Sequence, residues 1–249
     1  EIAAHIVTAA DGTATAEDLY LGSYRIVETL APEGYVLNGE PVDVTLSYAG
    51  QEVEAAYAES EFGDVPQKGI IEAHKVDAES GLPVAVPGIE FRVTAAADVV
   101  TPDGTVRAHE GDVVAEVVTG DDGKAETPEL YLGRYEVEET LAPDGYVLNG
   151  EPVDVTLSYA GQEVAVTRAG AVVEDAPQKG VIEIVKTDEA DGRAVPGAVY
   201  EVTAAADIVT PDGTVHASSG DVVATVTTGD DGKAETDELY LGDYNVRET

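Results

Sequence analysis

The chain reads as short stretches in which apolar and polar side chains alternate, broken at close intervals by Gly, Asp and Pro. IIEAHKV (70–76), IEFRVTAA (89–96), VVAEVVT (113–119), RYEVEET (134–140), PVDVTLSY (152–159) and EVAVTRA (163–169) are rich in β-branched and aromatic residues. A period of two is the pattern of a strand with one buried face. PDG, GDDG, PDGY and NGEP lie between these stretches and mark reversals, since Gly, Asn and Pro supply the backbone angles a turn needs. No stretch sustains a 3.6-residue apolar period. About seven strands in about 110 residues predict an all-β antiparallel sandwich.

The same strands come back. Leu19–Val53 recurs at Leu130–Val164 with five changes in 35 positions, and LYLG returns again at Leu239–Gly242. PQKG occurs at Pro66–Gly69 and Pro177–Gly180, 111 residues apart, and TPDGTV at Thr101 and Thr210, 109 apart. The period is one small domain. It predicts the back part of one repeat over 1–67, a complete repeat over 68–178 and the front of a third over 179–249. Both ends fall inside a repeat, so the segment is expected to be a window on a longer tandem array. The joints DVPQKG and DAPQKG are short and carry proline, which stiffens a connection where Gly/Ser would loosen it. Sandwiches on such joints predict a rod.

Composition narrows the function. There are 50 acidic against 13 basic side chains, a formal net charge of -37. Contact with nucleic acid or an anionic membrane would start from repulsion, so neither is an expected partner. No apolar run of about 18 residues is available to span a bilayer. No targeting signal is visible, so any export signal is expected outside this segment. Cysteine is absent, which excludes disulfides, thiol catalysis and thiolate zinc sites. A secreted protein without disulfides must be secured by other means.

Three strings, in order, carry a resemblance: KVDAESGLPVAVPGIEF (75–91), LYLGRYEVEETLAPDGY (130–146) and DAPQKG (175–180). Together they resemble the Cna protein B-type repeat, also called the SpaA-like pilin domain, of Gram-positive surface adhesins and pilins, over the whole period. The resemblance implies an Ig-like, prealbumin-like sandwich. It also implies a spontaneous isopeptide bond between a first-strand lysine and a last-strand Asn or Asp, promoted by a glutamate. Carried over by position, the lysine is Lys75, the glutamate Glu139 and the acceptor Asp175. Glu139 is preferred to Glu138 because it aligns with Glu28 and Glu248, whereas position 138 is Val27 and Arg247 in the other copies. Glu28 and Asp64 stand in the first copy and Lys186 and Glu248 in the third, their partners lying outside the segment. Asn is the commoner acceptor in the family; Asp implies loss of water in place of ammonia.

The chemistry is sound on its own terms. An amine attacks a carboxyl carbon only when the amine is neutral and the carboxyl protonated, and in water at neutral pH neither holds. Burial moves both pKa values toward that state. A neighbouring carboxyl can shuttle the proton, and adjacent strands supply the proximity. Alternation places Ile71, Ala73 and Lys75 on one face, as it does Ile182, Ile184 and Lys186; a lysine guarding a sheet edge would give the same pattern. Such a reaction occurs once per molecule, so the chain is not expected to be an enzyme.

Other candidates are weaker. Lys68 and Lys179 in the PQKG joints read as solvated linker charges before sortase-type crosslinking sites. His5, His74, His109 and His216 have no histidine at the matching positions of the other copies, which argues against a metal site or catalytic dyad. The DDG turns at Asp121–Gly123 and Asp230–Gly232 lack the ligand spacing of a calcium loop and read as β-turns. No cofactor is expected. The leading reading is a stalk segment of a cell-wall-anchored adhesin or pilus-like fibre, with neighbouring repeats as partners and a host ligand met through a domain elsewhere. The alternative is a multivalent module that recognises a host protein or glycan.

Overall fold

Alternation decides where each strand lies. In Lys68–Asp77 every second residue is buried, so Gly69, Ile71, Ala73, Lys75 and Asp77 share the inner face. A computed structural model describes all residues, Glu1–Thr249, and every regular element in it is a β-strand. The chain forms two compact units, one of Glu1–Gln67 with Ala160–Ala165 and one of Lys68–Tyr159 with Val166–Thr249.

In the second unit the residues of the complete copy form two facing sheets. One runs in the order Lys124–Glu126, Lys68–Asp77, Val166–Pro177, Tyr146–Val147, with Leu130–Tyr131 also paired to Lys68–Asp77. The other runs Val153–Leu157, Gly133–Leu141, Glu90–Ala95, Val113–Val118. Ile71, Ala73, Ala171 and Val173 of the first sheet meet Phe91, Val93, Tyr135 and Val137 of the second in one buried cluster. This apolar contact is the main drive for the fold.

Two features depart from the strand pattern read along the chain. The last strand runs over Val166–Pro177, past Gly170, where EVAVTRA (163–169) marked only its beginning. Its buried positions Ala171, Val173, Asp175 and Pro177 keep the period of two, but two of the four are not bulky apolar residues. The other departure concerns direction. This strand pairs in parallel with Lys68–Asp77 over ten residue pairs, Val173 opposite Lys75 and Asp175 opposite Asp77. The remaining pairings are antiparallel, as a sandwich of hairpins predicts. Parallel neighbours need a long connection, and here nearly the whole copy is that connection.

The third copy repeats part of the scheme: Val199–Ala204 lies between Val222–Thr227 and Tyr244–Glu248. In the first unit Gly22–Ile26 pairs with Val42–Leu46, and Tyr35–Val36 with Val65–Pro66. There buried Gln67 donates to Gly161 O at 2.9 Å and to Val164 O, and accepts from Ala160 N at 2.9 Å. Each LYLG-x-Y string forms the same small lock. Tyr24, Tyr135 and Tyr244 donate to the carbonyls of Tyr20, Tyr131 and Tyr240 at 2.7, 2.6 and 2.6 Å.

The GDDGK turns are β-turns. Gly123 N donates to Gly120 O at 3.0 Å, and Lys124 N to Asp122 Oδ1 at 3.1 Å. Gly123 has φ +71°, and a Cβ there would sit 2.5 Å from Val84 O; Gly232 has φ +72° and its Cβ would sit 2.6 Å from Lys186 O. Both terms oppose a side chain. Gly123→Ala is expected to cost about 2–3 kcal/mol, read as a lowered midpoint in urea unfolding with unchanged slope.

Candidate functional site

The first and last strands put a lysine and an aspartate on the same inner face. Lys75 is paired with Val173, so Asp175, two residues on, is its diagonal neighbour across the parallel ladder. Glu139 comes from the opposite sheet. Its strand, Gly133–Leu141, buries Tyr135, Val137 and Glu139 alternately, while Glu138 is turned outward to Arg92 at 3.4 Å. Position 139 therefore faces the core and position 138 does not.

The three side chains meet in the interior. Lys75 Nζ lies 2.7 Å from Glu139 Oε2 and 2.6 Å from Asp175 Oδ1, and all three side chains have 0% exposure. Asn149 N donates to Asp175 Oδ1 at 2.9 Å. Glu139 Oε1 and Asp175 Oδ2 are buried without a donor, and the two carboxyls hydrogen-bond to each other if one holds a proton. Burial is the largest influence on Glu139 and raises its pKa; Lys75 opposes this and Asp175 adds to it, leaving the group at about 7.

That balance has a direct electrostatic cause. One ammonium and two carboxylates would leave a net negative charge in a dry core, which is costly. A proton on Glu139 makes the cluster neutral overall. Lys75 Nζ and Asp175 Oδ1 are in contact at 2.6 Å, so an amine, an acceptor carboxyl and a second carboxyl stand together, the groups an amide condensation would use.

The other copies hold parts of the same set. In the first unit Glu28 is raised by burial and then by the neighbouring Asp64 carboxyl, and Glu28 Oε2 and Asp64 Oδ1 are buried without partners. In the third copy Lys186 Nζ lies 2.7 Å from Glu248 Oε2, with side-chain exposures of 33% and 46%. Every residue carried over by position thus stands beside the counterpart available within its own copy.

Supporting residues escaped the linear reading. Asn149 holds the acceptor from its backbone, and its side chain donates to Glu174 O at 3.0 Å. Asp77 is buried, accepts from Tyr146 Oη at 2.9 Å, and through Oδ1 accepts from Glu79 N and Ser80 N at 2.8 Å each. The signals were present as the repeated LNGEP string and the Asp of K-x-D, but turn chemistry accounts for both equally well. No group of three or more His, Asp or Glu side chains is arranged to hold a metal ion.

Comparison with known proteins bears on the fold. The family model described as SpaA, prealbumin-like fold domain, matches residues 1–60, 69–170 and 180–249. Among solved structures, the Bacillus anthracis TIE protein is 25% identical with a TM-score of 0.60, over 98% of this chain and 39% of that one. The chain thus spans well under half of that protein's length. The full-length major pilin SpaD from Corynebacterium diphtheriae is 22% identical with a TM-score of 0.38, over 70% of this chain and 56% of that one. The shaft pilin SpaA from Lactobacillus rhamnosus GG is 13% identical with a TM-score of 0.30, covering 74% and 87%. No curated protein sequence matches the chain.

Proposed function

Since the chain belongs to the family of SpaA prealbumin-like fold domains, we propose that it is a structural segment of an extracellular fibre, a pilus-like shaft or adhesin stalk anchored to the wall of a Gram-positive cell. Its repeats, over 1–67, 68–178 and 179–249, follow one another in tandem along the chain, and the complete one is closed internally by a Lys75–Asp175 amide. The observation that carries this reading is the buried triad, with Lys75 Nζ 2.6 Å from Asp175 and 2.7 Å from Glu139.

The condensation runs as follows. With Lys75 neutral and Asp175 protonated, the Lys75 lone pair attacks Asp175 Cγ and forms the C–N bond. Glu139 Oε2, already in contact with Nζ, accepts a proton from the nitrogen. Glu139 Oε1 returns one to the departing oxygen, the C–O bond breaks, and water leaves. Glu139 ends in the protonation state in which it began. No oxidant, nucleotide or metal enters the balance, and nothing turns over a second time. Glu28 and Glu248 take the same role toward Asp64 and Lys186.

A covalent tie between the first and last strands of a repeat carries tension past the strands between them. That suits a cysteine-free protein outside the cell. The test is intact mass. The purified chain should be one water lighter than its sequence, and proteolysis should release a branched peptide joining Lys75 to Asp175. Full mass with two linear peptides would sink the crosslink and leave the fold assignment untouched.

A further inference from the structure

The loop after the first strand of the complete copy, DAESG (77–81), reaches residues of the third copy within the second unit. Glu79 Oε1 accepts from Lys179 Nζ at 2.7 Å and Glu79 Oε2 from Tyr240 Oη at 2.6 Å, so both carboxylate oxygens are taken. Ser80 Oγ donates to Asp212 Oδ2 at 2.7 Å. Lys179 Nζ also stands 4.5 Å from the centre of the Tyr240 ring, and His216 stacks on that ring at 3.4 Å with a 19° interplanar angle.

Both sides of this contact are held in place before they meet. Buried Asp77 ties down Glu79 N and Ser80 N, which fixes the direction of the loop. Opposite, Asp212 accepts from Thr210 Oγ1 at 2.5 Å and from Thr214 Oγ1 at 2.6 Å, which braces the TPDG turn. Lys179 and then Tyr240 hold the Glu79 carboxyl below its usual range. One exposed ion pair contributes little to stability. Three bonds to two adjacent residues of a braced loop fix an orientation, because no single rotation preserves all three.

We propose that the 77–81 loop and the Lys179–Tyr240–Asp212 surface form a clasp that sets the angle between successive repeats. It is an interaction surface whose partner is an acidic turn of the neighbouring repeat. The receiving surface recurs. In the complete copy Lys68 lies 5.3 Å and Arg107 4.7 Å from the Tyr131 ring centre, at the positions of Lys179, His216 and Tyr240. The inserting loop does not recur, since the third copy has Ala190 and Asp191 where Glu79 and Ser80 stand. A loop with alanine at the position of Glu79, as in the third copy, cannot make the two carboxylate contacts that Glu79 makes to Lys179 and Tyr240. The joint lysine Lys179 is a structural contact here, not a free linker charge.

The absence of cysteine makes the test clean. Spin labels on cysteines introduced at exposed Thr156 and Thr225, in the whole chain, report the distance between the two copies by pulsed electron resonance. One narrow distance is expected for the parent. The single peak should be lost in Glu79→Ala, which installs the residue of the third copy, and weakened in Tyr240→Phe, which keeps the ring and its stacking. A label pair at Thr156 and Glu116, within one copy, should not change and so monitors folding. Equal distributions in parent and variants, whether narrow or broad, would overturn the clasp. Mass spectrometry on the same samples reports the amide separately, so failure of one proposal is distinguishable from failure of the other.

Discussion

Lys75→Ala is expected to have the full sequence mass and to melt lower than the parent by on the order of 20 °C. Two losses add. The amide would close a loop from position 75 to position 175, and by analogy with a disulfide across about 100 residues that restraint is worth about 4–5 kcal/mol through the unfolded chain. Removing the lysine also leaves Glu139 and Asp175 together in the core without a cation, a change that costs several kcal/mol unless a proton is taken up. At roughly 4 °C per kcal/mol for a domain of this size, the sum reaches the stated shift. Scanning calorimetry of both proteins beside their intact masses checks it. A second substitution separates bond from packing. Asp175→Asn should still close, shedding ammonia in place of water, and keep most of the parent's thermal stability. A melting point for Lys75→Ala within a few degrees of the parent would show that no covalent restraint had been lost.

The second large effect lies in the rate. Glu139→Gln keeps the shape of the side chain and removes its titratable proton, so amide formation should slow by about 10²–10⁴-fold. In the parent the competent form is protonated Glu139, whose pKa is raised to about 7. The rate should be level on the acid side of that value and fall about tenfold per pH unit above it. Chain recovered unfolded from inclusion bodies and diluted into buffers from about pH 5 to 9, then quenched and weighed, gives the profile. A rate that rises steadily with pH would instead identify free amine as the only requirement and remove Glu139 from the mechanism. The sign for stability follows the same shift. A carboxyl raised on folding contributes stability fully present below its ordinary value of 4.5 and lost as pH rises through about 7. Before the bond closes, the Glu139 share of stability is therefore greatest in acid.

Much of the site was legible in the chain because repetition aligned it. Glu139 was separable from Glu138 by comparison with Glu28 and Glu248 alone, and the structure turns Glu138 to Arg92 while burying Glu139. Lys75 continues the stripe of Ile71 and Ala73, and the same period of two carries it into the core. Asn149 and Asp77 were not legible as site residues. Their contributions are a backbone N–H aimed at Asp175 and a carboxylate that gathers a loop, and neither leaves more in the sequence than a turn signal.

By itself the sequence determined that this protein is built of strands and turns, repeats with a period of one domain, and carries a lysine, a glutamate and an aspartate at fixed places in that period. Those are local properties: alternation, turn residues and copies are written in neighbouring letters. Only the tertiary structure decided that the last strand lies parallel to the first, that it runs on past Gly170 to carry Asp175 inward, and that the three side chains close to 2.6 and 2.7 Å. It also decided that the joint lysine Lys179 is held by Glu79 from a loop 100 residues earlier. The physical reason is the same in each case. Pairing and burial depend on what the chain meets after it returns, and the low dielectric that places Glu139 at about 7 exists only once the two sheets have closed over it.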